Sequence, residues 1–209
     1  MMRIPKAILL FTGILFLTGC LLTGCMSQKQ PTSKYYVIER PDSLKGSITQ
    51  QQPVIDGYCE VAPVDVYPAF ASQSIARRKE SHEIVYYSYH HWAVRPGESM
   101  TMLLEDYMSQ AAIFNGVSMR FWKISPAYKL ETKVYRLEAL PEKKEMFAHL
   151  SLRFTLLNAR DNEKLVVHHA DRKEQLSRKD LNLYAKTVGE LFHEELHRFS
   201  EKIRDQLGD

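Results

Sequence analysis

The sequence predicts an α+β fold, a largely antiparallel β-sheet with two amphipathic helices packed on one face. Runs of alternating apolar and polar residues recur between Tyr35 and Gln175, most of them joined by short polar turns. Two other segments, one after Pro96 and one after Asp180, instead repeat apolar residues every three or four positions. A sheet with one apolar face and helices with one apolar stripe each have the same way of leaving water, which is to cover one another. The domain spans 35–209, about 170 residues, enough for a core of its own.

Ahead of it lies a segment read as processing signal rather than fold. Arg3 and Lys6 form a short basic region, Ala7 to Leu22 an apolar one, and Leu17-Thr18-Gly19-Cys20 is followed by Leu22-Thr23-Gly24-Cys25. Each tetrapeptide matches a bacterial lipobox, an aliphatic residue and two small ones before a cysteine that receives diacylglycerol, loses everything that precedes it and is then N-acylated. Cys25 is preferred over Cys20 because Met26-Ser27-Gln28-Lys29-Gln30-Pro31 begins a polar tether at once, whereas Leu21-Leu22 after Cys20 is still apolar. Residues 1–24 are therefore a signal peptide and 25–34 a lipidated cysteine and tether. The apolar run, broken by Gly13 and Gly19, is shorter than the ~20 residues a spanning helix needs. Neither cysteine is followed by Asp, the usual inner-membrane retention residue, so the expected location is the periplasmic face of the outer membrane. No cofactor is expected beyond the covalent N-acyl diacylglycerol group.

Removing the signal leaves 26 of the 28 basic residues against 25 acidic ones, and a net charge of +1 rather than +3. Such a balance exerts no general pull toward nucleic acid. Cys59 is then the one cysteine besides Cys25, so an intramolecular disulfide framework is not expected; Cys59 reads as a small buried hydrophobe.

The elements follow in order. Tyr35 to Glu39 forms a first strand, 40–53 a long loop, and Tyr58 to Val66 a second strand broken by Tyr67-Pro68. Extended pieces follow at Ser74–Arg78 and Glu83–Trp92, the latter rich in Tyr, Val and Ile. Pro96-Gly97-Glu98-Ser99 opens a helix with a stripe of Met100, Leu103, Leu104, Tyr107, Met108, Ala111 and Phe114, and Asn115-Gly116 offers a left-handed stop. A meander comes next. Val117, Met119 and Phe121 alternate, then Tyr128 to Val134, where the phase shifts to Tyr135, Leu137 and Ala139 as at a β-bulge. After the turn at Pro141–Lys144, the stretch from Met146 to Leu156 is the clearest strand in the chain, and a last strand runs from Lys164 to about Gln175. The closing helix starts near Asp180, with Ser177 and Asp180 spaced as a capping box and Leu181, Tyr184, Val188, Leu191, Phe192, Leu196, Phe199 and Ile203 on one face.

One motif invites a chemical reading. His193-Glu194-Glu195-Leu196-His197 matches the H-E-x-x-H pattern that places two zinc ligands and a base on a helix. A catalytic site needs a third ligand, and only 12 residues follow His197. Glu195 and Arg198 are also out of character for such a helix, so His193 and His197 are read as a solvated helix flank and no metal is expected. His90-His91 and His168-His169 lie in strands, where neighbours point to opposite faces and cannot chelate as pairs. Arg77-Arg78-Lys79 and Arg172-Lys173 read as solvated edges. A nucleophile elbow, a Walker loop and a dinucleotide fingerprint are all missing from the sequence, and the chain is read as non-enzymatic.

The lipobox, the tether, Tyr35-Tyr36-Val37-Ile38, the run from Val61 to Phe70 leading to Ser74-Ile75-Ala76-Arg77-Arg78, and His91-Trp92-Ala93 before a helix together resemble the ABC-type transport auxiliary lipoprotein family, also called PqiC-like. The chain departs from that family in Val94-Arg95-Pro96, where an acidic residue is common, and in its long C-terminal helix. The resemblance implies an auxiliary component of an MCE-type lipid transport system. Its implied partners are an MCE-domain protein, an ABC permease with its ATPase, and further copies of itself in a ring. Tyr67, Phe70, Tyr87 and Tyr89 are the expected contacts, since aromatic residues concentrate at interface cores. Two other readings stay open, an LptE-like lipoprotein that plugs or assembles an outer-membrane barrel, and a zinc hydrolase.

Overall fold

The computed structural model describes residues 32–41 and 53–208. Cys20, Cys25, the signal and most of the tether, and most of the expected 40–53 loop lie outside the described residues. The elements are β1 (Lys34–Tyr36), β2 (Ile55–Val61), β3 (Asp65–Val66), a 3-10 turn (Pro68–Phe70), β4 (Ser74–Arg78), β5 (Ile84–Trp92), α1 (Pro96–Gln110), β6 (Phe114–Ser118), β7 (Tyr128–Glu142), β8 (Glu145–Asn158), β9 (Lys164–Gln175) and α2 (Leu181–Leu207). The α+β reading is correct, with sheet the larger part.

The three longest strands form an antiparallel meander, β7 to β8 to β9. Its register slips between Val134 and Arg136, the place where the apolar phase shifts in the sequence. The other edge of β7 is met in succession by three parallel partners: β2 at Tyr128 to Leu130, β3 at Lys133 and Val134, and β4 at Ala139. β4 and β5 form an antiparallel pair, β1 lies parallel to β5, and β6 parallel to β2. The long ladders are thus antiparallel while the short ones are mostly parallel, which no local pattern announces. β6 accordingly sits beside β2 and is not the first strand of the meander.

Helix α1 begins at Pro96, where a missing N–H costs nothing. Gly97 lies where a Cβ would come within 2.9 Å of the Val64 carbonyl, so the helix can press against the β2–β3 link. Thr101 secures that contact: its hydroxyl donates to the Gly97 carbonyl at 2.6 Å and accepts from Val64 N–H at 2.9 Å. The helix stops at Ala111, and the left-handed residue is Ala112 with φ 47°, not Asn115 or Gly116. Phe114 therefore belongs to β6, buried from the strand side. A non-glycine residue at positive φ is held there by its surroundings; Arg204 of α2 donates to the Ala111 carbonyl beside it.

Helix α2 is capped by Asp180 itself, whose carboxylate accepts from Asn182 N–H at 2.7 Å and Leu183 N–H at 3.2 Å. Those bonds hold its carboxyl below the ordinary range. Asp180 is thus the N-cap rather than the fourth residue of a box begun at Ser177. The buried stripe of α2 lies over β8: Phe154 meets Phe192 at 5.8 Å and Phe199 at 5.2 Å, with His168 of β9 stacked beyond it. Gly189 allows the closest approach, since a Cβ there would fall 2.6 Å from the Glu39 carbonyl. The two helices touch through Tyr107, whose hydroxyl lies 3.2 Å from Ser200 Oγ, so both cover the same side of the sheet. Among the described residues no helix is long and apolar enough to cross a membrane.

Candidate interaction surface

Two clusters of titratable side chains are built around buried carboxylates, Glu195 and Glu138. Glu195 of α2 is 1 % exposed. It receives His168 Nε2 at 2.8 Å, Arg172 Nη1 at 2.6 Å and Arg198 Nη1 at 2.8 Å. Burial pushes its carboxyl up, but the bonds from His168 and Arg172 outweigh that and hold it below the usual range. Glu138 of β7 is fully buried and pairs with Arg78 at 2.6 Å and His149 Nδ1 at 3.3 Å, both off the axis of a linear hydrogen bond. His149 Nε2 reaches Asp171 at 2.7 Å. Burial works to raise the Glu138 carboxyl, and pairing with His149 and Arg78 brings it below its ordinary value; pairing with Glu138 raises His149. Arg78 and Arg172, read from sequence as solvated, are the counter-ions of these two carboxylates. Hydrogen bonds spanning 27 and 22 residues of sequence leave no local signal.

Of the H-E-x-x-H side chains, His193 is half-buried while Glu194 and His197 are exposed, and each contacts neighbouring side chains. His193 sets its ring edge against Tyr107 at 4.9 Å, His197 Nδ1 lies 3.1 Å from the Tyr107 hydroxyl, and Glu194 pairs with Arg172. Burial lowers His193 below the ordinary imidazole value. Among the described residues no three His, Cys, Asp or Glu side chains are placed to hold a metal. The Cys59 thiol is buried and pushed up to about 12 by desolvation, which leaves it a weak nucleophile.

At the β1–β5 edge the sheet presents a band of aromatic rings to solvent. The register of β4 and β5 slips between Ser74, paired with His91, and Ala76, paired with Tyr86. That slip divides the tyrosine-rich strand between two faces. Tyr87 and Trp92 turn toward α2: Tyr87 is half-buried under Arg77, and Trp92 packs on Tyr184 at 5.7 Å. Tyr86 and Tyr89 are each 48 % exposed. Tyr86 donates to the Ala69 carbonyl at 3.0 Å, bringing the 3-10 turn and its exposed Tyr67 beside β5. Tyr35 of β1, 64 % exposed, lies against His91 at 5.7 Å. Below the turn an open groove of about 670 Å³ is lined by Val66, Pro68, Ala71, His91 and Arg95.

Of the four residues expected as contacts, Tyr67 and Tyr89 are thus presented outward. Phe70 is 3 % exposed and packs under Tyr67 as part of the core, because the 3-10 turn folds its ring inward. Tyr87 is half-buried toward the helix by the register slip. Tyr86, which lies in the tyrosine-rich stretch 86–89 expected to make contacts, and Tyr35 join the exposed band.

The family model for the ABC-type transport auxiliary lipoprotein component matches residues 36–197. The chain belongs to that family. The match takes in the exposed band from Tyr67 to Tyr89, both buried carboxylate clusters, and α2 as far as His197. Two solved structures share the fold of this auxiliary lipoprotein. A Xanthomonas campestris protein assigned to DUF330 is 17 % identical, with a TM-score of 0.59 over 83 % of this chain and 92 % of its own. An uncharacterized protein is 12 % identical, with a TM-score of 0.63 over 82 % and 99 %. A search of curated proteins finds no match.

Proposed function

We propose that this auxiliary lipoprotein is a non-catalytic periplasmic component of an MCE-type lipid transport system, acylated at Cys25 and tethered to the outer membrane. It holds the MCE-domain protein of an inner-membrane ABC permease and ATPase in register with that membrane. The exposed band of Tyr35, Tyr67, Tyr86 and Tyr89 is the surface through which it meets the MCE protein or further copies of itself. The observation that carries the reading is the family match over 36–197, which covers nearly the whole described domain. The placement of the side chains supports it. The clustered ionisable groups pair with one another in the interior, while the aromatic groups that suit docking face outward.

Affinity capture of the acylated protein from solubilised envelopes tests this. Co-recovery of an MCE-domain protein with a permease and ATPase is the expected result. Recovery with an outer-membrane β-barrel instead would replace the proposal with an assembly role. Mass spectrometry of the mature N-terminus is expected to show an acylated Cys25; an unmodified N-terminus would remove the tether from the account.

A further inference from the structure

The segment after β6 is a second exposed surface of different chemistry. Residues 119–127 form a loop in which Trp122 is 80 %, Met119 44 % and Ile124 41 % exposed. Alternation of Val117, Met119 and Phe121 predicts a strand here, yet β6 ends at Ser118 and the chain turns out. The loop is firmly seated at its base. Met119 N–H donates to Glu105 Oε1 at 3.1 Å, Phe121 sets its edge on Tyr58 at 5.5 Å, and Ala127 N–H donates to the Tyr58 carbonyl at 2.9 Å. Arg120 lies over the Trp122 ring at 4.1 Å. The stretch 116–130 carries Arg120, Lys123 and Lys129 and no carboxylate, Lys129 being paired with Glu131. Of the elements beside it, α1 brings Glu105, already bonded to Met119, β2 brings Glu60, opposite Ser118 and Lys129, and Asp56, bonded to Asn115, and the β8–β9 turn brings Arg160, Asp161 and Glu163.

We infer that this loop is a membrane-surface anchor that inserts Trp122, Met119 and Ile124 among the lipids of an anionic bilayer while Arg120 and Lys123 meet the phosphates. Tryptophan is favoured at the depth of lipid headgroups, where its ring is sheltered and its N–H stays wet. Flanking cations on aliphatic stems reach the phosphate layer from the same backbone position. The loop follows β6, which ends the strand order opposite β1, so this surface is separate from the tyrosine band. The inference uses the tether of a lipoprotein but does not depend on the identity of the transport partner.

The chain has two tryptophans, and Trp92 is 2 % exposed, so Trp122 reports on its own surroundings. The acylated protein is reconstituted into vesicles of phosphatidylethanolamine with phosphatidylglycerol and, separately, of phosphatidylcholine alone. In the anionic vesicles, emission shifts to the blue and acyl-brominated lipid quenches it; both effects vanish in Trp122→Phe. Arg120→Gln and Lys123→Gln each reduce the inserted-to-free ratio about fivefold. Emission that stays at its aqueous wavelength and remains open to iodide in anionic vesicles would overturn the inference. So would protection that appears only when the MCE protein is added. Either result leaves the capture experiment above unaffected, so the two readings fail separately.

Discussion

The buried carboxylate clusters and the exposed tyrosine band use their side chains in opposite ways. Around Glu138 and Glu195, every charge faces a counter-charge a few ångströms off, and removing one partner leaves another stranded in low dielectric. Around Tyr67 and Tyr89, large rings lie in water with few intramolecular contacts to lose. The first arrangement fixes how α2 and the β4–β5 pair sit on the meander. The second leaves surface free for another molecule. A substitution should therefore disturb either folding or association, according to the region it strikes.

The largest separation is expected between two neighbours in one turn. Phe70→Asp places a charge in the core and should cost several kcal/mol, on the order of the ~3–5 kcal/mol of a buried aromatic truncation. Tyr67→Asp should change stability by less than about 0.5 kcal/mol. Chemical denaturation of both variants measures this, and equal losses would mean that Tyr67 is core as well. Glu195→Ala comes next. It strands Arg172 and His168, although Arg198 and part of Arg172 reach solvent, so about 2–4 kcal/mol is expected. Glu195→Gln should recover part of that loss by keeping an acceptor in place.

These contrasts also mark what the sequence could reveal. Strong local periodicity made α2, the β7–β8–β9 meander and the bulge at Val134 legible, because a buried face repeats at the period of its own backbone. The parallel ladders on β7 join residues tens of positions apart, and nothing local encodes them. For the same reason Arg78 and Arg172 pass as surface charges until their partners arrive from other elements. The left-handed Ala112 violates residue preference under tertiary constraint, so Asn115-Gly116 attracted a turn that the chain makes earlier. At the surface, composition named the tyrosine-rich strand, but only the β4–β5 register decided which tyrosines face out. The loop at Trp122 was concealed by its alternation, which mimics a strand.

A smaller effect is expected from pH, confined to the buried region. His149 has its pKa raised by Glu138, so its stabilisation is complete below the unfolded imidazole value and is lost as pH rises through the higher folded value. Glu138 has its pKa lowered, so its contribution is present above the unfolded carboxylate value and is lost as pH falls through the lower folded one. Stability should thus decline as pH rises above the unfolded imidazole value in the native protein and decline less in His149→Gln. Thermal unfolding from about pH 5 to 8, the range in which histidine ordinarily titrates, and a little beyond it, checks this; identical slopes would detach His149 from the effect.

The most direct test of the central claim is MCE-protein capture by the double variant Tyr67→Asp, Tyr89→Asp, with unfolding of the same sample measured alongside. The account predicts unchanged stability together with loss of the captured MCE protein or of the native oligomeric mass. Full capture and full mass at unchanged stability would contradict it, because the exposed tyrosine band would then have no role in association.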